Sequence, residues 1–296
     1  MFPVANYSEP STTSNQLRFA ASVVTALLAP TTVAGNAFIL AAIWRNLSLR
    51  TPCYVLLAGL AVTDFCTGLI SQPFFTAYKI GEITGNRMMH CVGGFVNECA
   101  GFYFSSLTFV TITMMAVERW LHMSRRSLLT VRGVAIIYIA IAVLLLILAT
   151  GRMYKFLFPT EVYTTFSVLF MLSVGLCFFL TVFAYFKVLQ IIRRHENQVR
   201  TNGNAINMKK YKKTIFTISY ILAIFFLSYL PYVGCSLVFT IYHFPNWTGI
   251  INACAAVVYS SSFFNPFLYY CRMKEIKDGV RSVLKNLCCK ESEEDS

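Results

Sequence analysis

Several polar groups in this 296-residue chain stand where almost everything around them is apolar. Glu118 and Arg119 adjoin in MMAVERWLHM, at the end of a long greasy run. Asp64 is alone in GLAVTDFCTG, Asn36 in VAGNAFIL, and Asn265 precedes Pro266 in FFNPFLYYC. Ser105, Thr108 and Thr111 add hydroxyls to another apolar run. An acid beside a base can be held as a pair or released. A lone carboxylate near hydroxyls and amides has three uses: protonated hydrogen bonding, cation binding or proton relay. His90, His122, His195 and His243 are scattered, and none is spaced for a metal or a catalytic pair, so the chain reads as no enzyme.

The surrounding composition says what must position these groups. The chain is 56% hydrophobic and only 13% charged, with 26 Phe and 16 Tyr. Soluble domains carry nearly twice that charge. Residues 19–44, 99–117, 133–151, 162–186, 214–242 and 248–271 contain no charged residue or histidine, and 51–78 contain only Asp64. A span needs about 20 apolar residues. Seven runs therefore predict seven helices, because lipid offers backbone polar groups no other partner. The fold class is an all-α membrane protein, a seven-transmembrane bundle.

Charge fixes the expected orientation. Of the 25 Lys and Arg, 20 fall in 45–50, 118–132, 187–213 and 272–296, all on one side of the spans. The positive-inside rule makes that side cytoplasmic and puts the N-terminus outside. Topology and lipid headgroups account for the net charge of +12, so no nucleic acid is expected. The expected organisation is an extracellular tail at 1–18, a membrane domain at 19–271 and a cytoplasmic helix with an acidic tail at 272–296. No basic signal-peptide region opens the chain, so the first span is expected to direct its own insertion. Outer loops are expected near 80–90, 152–161 and 243–248, and a polar inner loop at 194–208. The sequons at Asn6 and Asn246 fall outside, where glycosylation is expected. Ile276, Val280, Leu284 and Leu287 share one helical face with basic residues elsewhere, which suits a helix on the inner leaflet. Cys288 and Cys289 follow it as candidate palmitoylation sites, the alternative being two plain thiols. The tail ESEEDS is expected to lack structure.

In order along the chain, these motifs resemble the rhodopsin-like (class A) G-protein-coupled receptors over nearly its whole length. Gly35-Asn36, LAVTD ending at Asp64, Glu118-Arg119-Trp120 in place of Asp-Arg-Tyr, Tyr185, and Asn265-Pro266-x-x-Tyr269 carry the likeness. So do Phe225, Ser228, Tyr229 and Pro231 in the Phe-x-x-Cys-Trp-x-Pro position. The resemblance implies that an extracellular small molecule or peptide shifts a two-state bundle and that a heterotrimeric G protein then exchanges its nucleotide. Arrestin and a kinase would act at the tail, and the site of action would be the plasma membrane. Arg119 would pair with Glu118 at rest and, once freed, meet inward-turning Tyr185 and Tyr269. Phe225, Tyr229, Pro231, Asn265 and Pro266 would form the helix switch. Asp64, Thr108, Ser261 and Asn265 stand where relatives hold an allosteric sodium ion, with a water-filled polar cluster as the alternative; no other cofactor is implied.

Departures narrow the reading. Tyr229 replaces the switch tryptophan, the fourth and fifth spans lack proline, and the fourth lacks its usual tryptophan. Gly94 stands where the family has its disulfide cysteine, with Cys91 one turn earlier, so that bond is expected to be absent. The short second outer loop tilts the resemblance towards melanocortin, adenosine and cannabinoid-like receptors. Tyr211, Lys212 and Lys213 stand where many members carry an acid, which implies raised basal activity. Gly101 replaces the aspartate of amine receptors, and Tyr259 the lysine of opsins. Glu98, Gly101, Phe102, Ser105, Tyr229, Tyr232 and Tyr259 are the expected ligand pocket, with plain helix packing as the alternative. A transporter or proton pump, and a non-signalling receptor, are the rival functions. The chain shows no internal repeat and keeps Arg119.

Overall fold

The computed structural model describes residues 12–46, 49, 51–124, 130–151, 161–202, 220, 223–238 and 247–294. Asn6, Asn246, Tyr211, Lys212, Lys213 and most of the second outer loop lie outside them, as do the side chains of Cys288 and Cys289. Among the described residues, seven helices make the bundle: α1 (Thr12–Arg45), α2 (Pro52–Thr84), α3 (Arg87–Met123), α4 (Val131–Gly151), α5 (Glu161–Asn202), α6 (Ala223–Val238) and α7 (Trp247–Arg272). An eighth, α8 (Lys274–Glu294), follows after Met273.

The helices are inside out by the standards of a soluble protein. On α1, Ser14, Arg18, Ser22, Thr25, Thr32 and Asn36 are buried, while Leu27 and Trp44 are 71% and 84% exposed. Lipid does not penalise the exposed face, and small polar residues let helices approach closely. Three of the hydroxyls are satisfied within the helix: Ser22 donates to the Arg18 carbonyl at 2.8 Å, Thr25 to that of Ala21 at 2.7 Å and Thr32 to that of Leu28 at 2.8 Å. The core runs through Ile39, Leu56, Leu57, Leu60, Phe109, Ile112 and Tyr269.

Several boundaries differ from the sequence reading. Helix α1 begins at Thr12, inside the expected tail. The expected 80–90 loop is almost wholly helical, with Gly85 and Asn86 as its turn. Gly85 ends α2 at a φ of 71°, a left-handed conformation that glycine adopts without strain. Asn86 then caps α3 by accepting from the Met89 amide at 3.1 Å. The expected polar inner loop is helical through Asn202, because no glycine or proline interrupts it before Gly203. The acidic tail likewise stays helical through Glu294.

Helix α2 carries a π-helical turn at Thr67–Ser71, just before Pro73. Proline offers no N–H and its ring crowds the preceding turn, and a π-turn relieves both. Beyond the turn, the buried residues are Gln72, Phe75, Lys79 and Gly81. Helix α3 packs against this segment at Gly93, where an added Cβ would lie 2.7 Å from the Tyr78 backbone nitrogen. Backbone cannot yield as a side chain can. Gly93→Leu is therefore expected to destabilise the bundle by more than the roughly 1–3 kcal/mol usual for overpacking. Melting in detergent checks this. Gly175→Leu, where nothing lies within 4 Å, should melt like the parent.

Helix α8 packs on α1. Its buried stripe is Ile276, Val280 and Val283. Leu284, expected on that face, is 41% exposed, and the side chain of Leu287 is outside the described residues. Three apolar residues at helical spacing seat the helix on protein, and Leu284 is left for lipid.

Candidate functional site: two ends of one bundle joined by a polar core

At the end of α3, Glu118 is buried and Arg119 is half-buried. Their closest charged atoms, Arg119 Nε and Glu118 Oε2, are 3.7 Å apart, and neither makes a hydrogen bond. The pair is thus a Coulombic contact, worth little where water reaches it. The directed contact of Arg119 is elsewhere: Nη2 donates to Cys53 Sγ at 2.6 Å. Cys53 is the second residue of α2, fixed there by Pro52 at the first helical position. Sequence reasoning missed it, because a cysteine in an apolar run reads as a small hydrophobe. Trp120 sets its ring edge-on to Phe183 of α5 at 5.5 Å, so it helps to join α3 and α5. Tyr185 packs partly buried on the same core, and Tyr269 is fully buried with its hydroxyl unpartnered.

In the middle of the bundle, Asp64 accepts from Asn265 Nδ2 at 2.7 Å and also bonds Ser262. Ser262, rather than Ser261, is the serine that meets Asp64. Successive helix positions point about 100° apart, and Ser261 instead donates to its own Val258 carbonyl at 2.7 Å. Thr108 and Ser262 line a cavity of 10 Å³ together with Thr67, Ser71 and Ser105. Ser71 Oγ is buried without a partner. A space of this size holds about one water-sized particle. The lining oxygens are hydroxyls, and the Asp64 carboxylate, bonded to Ser262, is not among the lining groups, so the space suits one water and a small cation in it would meet hydroxyl oxygens. Asn36 Nδ2 reaches the Ser262 carbonyl at 3.2 Å and ties α1 into the same network.

Of the expected switch residues, Phe225 and Tyr229 pack together, with rings 4.4 Å apart. Phe109 lies edge-on to Phe225 at 4.6 Å and to Tyr229 at 4.8 Å. Tyr229 also bonds Ser105 through its hydroxyl, a polar link between α6 and α3. Pro231 falls within α6 and Pro266 within α7, where Pro266 packs beside Gly35. Helix α4 contributes Tyr138, whose hydroxyl lies 3.4 Å from both Thr63 and Thr111. Gly59 makes room for that ring: a Cβ there would be 2.7 Å from Tyr138 Cζ. A single tyrosine in an apolar run gave no signal of this role.

At the opposite end from Arg119, a cavity of 230 Å³ opens among α2, α3, α6 and α7. Glu98, Gly101, Phe102, Ser105, Tyr232 and Tyr259 line it. Tyr229 instead lines the smaller cavity beneath. Tyr259 donates from its hydroxyl to Asn97 Oδ1 at 2.8 Å, and the bare Gly101 lies beside that hydroxyl. Lys79, Asn97 and Asn252 also line the cavity and were missed. Lys79 read as a stray outer charge. It is buried, and its Nζ lies 3.1 Å from Glu82, whose other oxygen lies 3.1 Å from Arg18 Nη1. Near it, Gly94 faces the Tyr78 ring, and Cys91 is an exposed free thiol.

Comparison with known proteins matches this architecture. Residues 35–269 fit the family described as 7 transmembrane receptor (rhodopsin family). The fold is similar to the crystal structure of squid rhodopsin, with a TM-score of 0.77 over 100% of this chain and 94% of that one, at 16% identity. Short stretches are similar to the 5-hydroxytryptamine receptor 1B of Vulpes vulpes (37% identical over 59 residues) and of Homo sapiens (38% over 55 residues). These matches span 20% and 19% of this chain and only 15% and 14% of those receptors. With the family match running from Gly35 in the first helix to Tyr269 in the seventh, the chain belongs to the rhodopsin family of seven-transmembrane receptors.

Proposed function

We propose that this chain is a plasma-membrane receptor that binds an extracellular ligand in the 230 Å³ cavity and drives nucleotide exchange on a heterotrimeric G protein. The observation that carries this reading is the state of Arg119, held at the basic end of the bundle by one hydrogen bond to Cys53 and by the charge of Glu118. Both contacts are weak enough to break when a partner offers better ones. The polar column through Asp64, Asn265 and Ser262 is the physical link between the two ends. Arrestin and a kinase would read the tail, and lipid on Cys288 and Cys289 would fasten α8 to the inner leaflet. The residues around Asp64 would hold an allosteric sodium ion, supplying a charge that favours the closed arrangement; a lone water is the competing occupant.

The test is exchange of labelled guanine nucleotide on several purified G proteins, with the full chain in nanodiscs, with and without a ligand panel. Exchange above the receptor-free rate on at least one G protein is expected. No exchange in any state would sink the proposal. Tyr229→Phe removes the hydroxyl that bonds Ser105 and keeps the ring stack. It is expected to change the ligand-free rate by about two- to tenfold, as loss of one net hydrogen bond would. The same exchange assay checks it.

A further inference from the structure

Two thiols face each other across the outer half of the bundle. Cys235 of α6 and Cys254 of α7 stand with their sulfurs 3.9 Å apart, and each residue is free and half-buried. The contact itself is weak, because a thiol is a poor donor and a poor acceptor. Its position gives it weight. Tyr232, one turn before Cys235, and Asn252 and Ala255, on either side of Cys254, line the 230 Å³ cavity, while neither cysteine does. The pair therefore backs the seam where α6 and α7 meet in the cavity wall. The α6 side has room to give. Pro231 leaves the carbonyl one turn earlier without its helical N–H. At Gly234, nothing lies within 4 Å of where a Cβ would stand. A disulfide needs its sulfurs about 2.05 Å apart, and a small turn of either side chain, or of this arm of α6, brings them together. Cys91, at the same end of the bundle, is exposed and has no thiol partner among the described residues.

Resting on the receptor reading above, which turns this end of the bundle to the oxidising outside, we propose that Cys235 and Cys254 form a reversible disulfide that pins the outer arm of α6 to α7. The oxidant is a small disulfide such as oxidised glutathione. One cysteine loses its proton, and its thiolate attacks a sulfur of the small disulfide. A mixed disulfide forms and one glutathione thiolate leaves. The other cysteine, deprotonated in turn, attacks the protein sulfur of that mixed disulfide and expels the second glutathione. Two protein thiols have then given up two electrons, and one small disulfide has become two thiols that take up the two protons. The second step is intramolecular between neighbours, so it outruns attack on another oxidant molecule. The product is a covalent tie one turn beyond Pro231. A helix that pivots at that proline must move its outer arm against α7, and the tie removes that freedom. It also closes the chain between the two helices into a loop, which stabilises the folded state.

The test uses the full-length chain in detergent, equilibrated in glutathione buffers of rising oxidised fraction, alkylated, digested and mapped by mass spectrometry. Peptides holding Cys235 and Cys254 are expected to appear linked, two hydrogens lighter than their sum. The link should form at a level of oxidised glutathione at least tenfold below that which loads Cys91 with glutathione, because its second step enjoys an effective concentration. Cys91 thereby reports that oxidant reaches the protein. Oxidised parent should melt several degrees above parent treated with a dithiol reductant. Cys235→Ser and Cys254→Ser should each lose both the linked peptide and the melting response. Should a serine variant fold poorly, parent with and without reductant carries the comparison. In nanodiscs, oxidised parent should exchange nucleotide without ligand at least twofold more slowly than reduced parent, and the variants should ignore the reductant. Glutathione on Cys91 while Cys235 and Cys254 stay unlinked would overturn the inference. So would a linked pair that exchanges as fast as the reduced one. A linked pair with raised melting, and no exchange on any G protein in either redox state, would leave the inference standing and sink the receptor reading instead.

Discussion

Arg119→Ala is expected to abolish ligand-driven nucleotide exchange, whereas Cys53→Ala should raise the ligand-free rate. The opposite signs follow from the two roles of the same contact. Arg119 is the half-buried cation at the basic mouth of the bundle, and removing it takes away the group that a G protein would engage. Loss of at least a hundredfold is expected, the scale of truncating a central buried arginine in an interface. Cys53 only holds it. The Nη2–Sγ distance is 2.6 Å, while the nearest Glu118 oxygen lies 3.7 Å from Nε without a hydrogen bond. Thiol sulfur is a weak acceptor, so its loss is set at about 0.5–1.5 kcal/mol, or roughly a two- to tenfold shift towards the released state. Cys53→Ser supplies a stronger acceptor of similar shape and should lower the ligand-free rate below the parent's. Glu118→Gln removes the Coulombic contact alone and should raise the rate less than Cys53→Ala does. Exchange measured at equal surface density checks the series. If alanine and serine at position 53 behaved alike, the sulfur would have no part in holding Arg119.

That contact also marks where sequence reading stops. The bundle was legible because a bilayer imposes a single demand, about 20 uncharged residues per crossing, and seven runs met it. The central residues were legible too, because a carboxylate or amide in hydrocarbon is costly enough to single itself out. What the runs concealed was the helix beyond the hydrocarbon. Polar segments at 80–90 and 194–202 read as loops, although only Gly85 and Asn86 break the first and nothing breaks the second. The ends of the two sites were hidden for a related reason. Lys79 lay near a predicted boundary, where a charge needs no explanation. Its burial depends on Arg18 and Glu82, which come from α1 and the end of α2. The choice between Ser261 and Ser262 was lost by one residue. Helical phase decides which of two neighbours faces Asp64, and the Pro266 turn in α7 blurs that phase in the sequence.

The second large effect is expected at Asp64, where two substitutions separate an ion from a polar cluster. Asp64→Leu leaves the Asn265 amide and the Ser262 hydroxyl buried without their acceptor. Each such orphan costs about 1–3 kcal/mol, so melting should fall clearly below the parent's. Asp64→Asn keeps an acceptor oxygen and should melt nearer to the parent, but it removes the charge. If the 10 Å³ cavity holds sodium in the parent, replacing sodium by choline should raise agonist affinity several-fold, because a ligand of one state draws the population towards it. Asp64→Asn should then show no sodium response. If one water fills the cavity instead, the parent will be indifferent to sodium while Asp64→Leu still melts early. Asp64 joins α2 to Asn265 of α7, and one turn further on Tyr269 keeps a buried hydroxyl with no partner. Breaking that link should uncouple the two ends of the bundle. In either case Asp64→Leu, which removes the acceptor, is therefore expected to bind agonist yet lose about tenfold in exchange. Retained exchange would mean that coupling runs through the Phe109–Phe225–Tyr229 stack and not through the polar column.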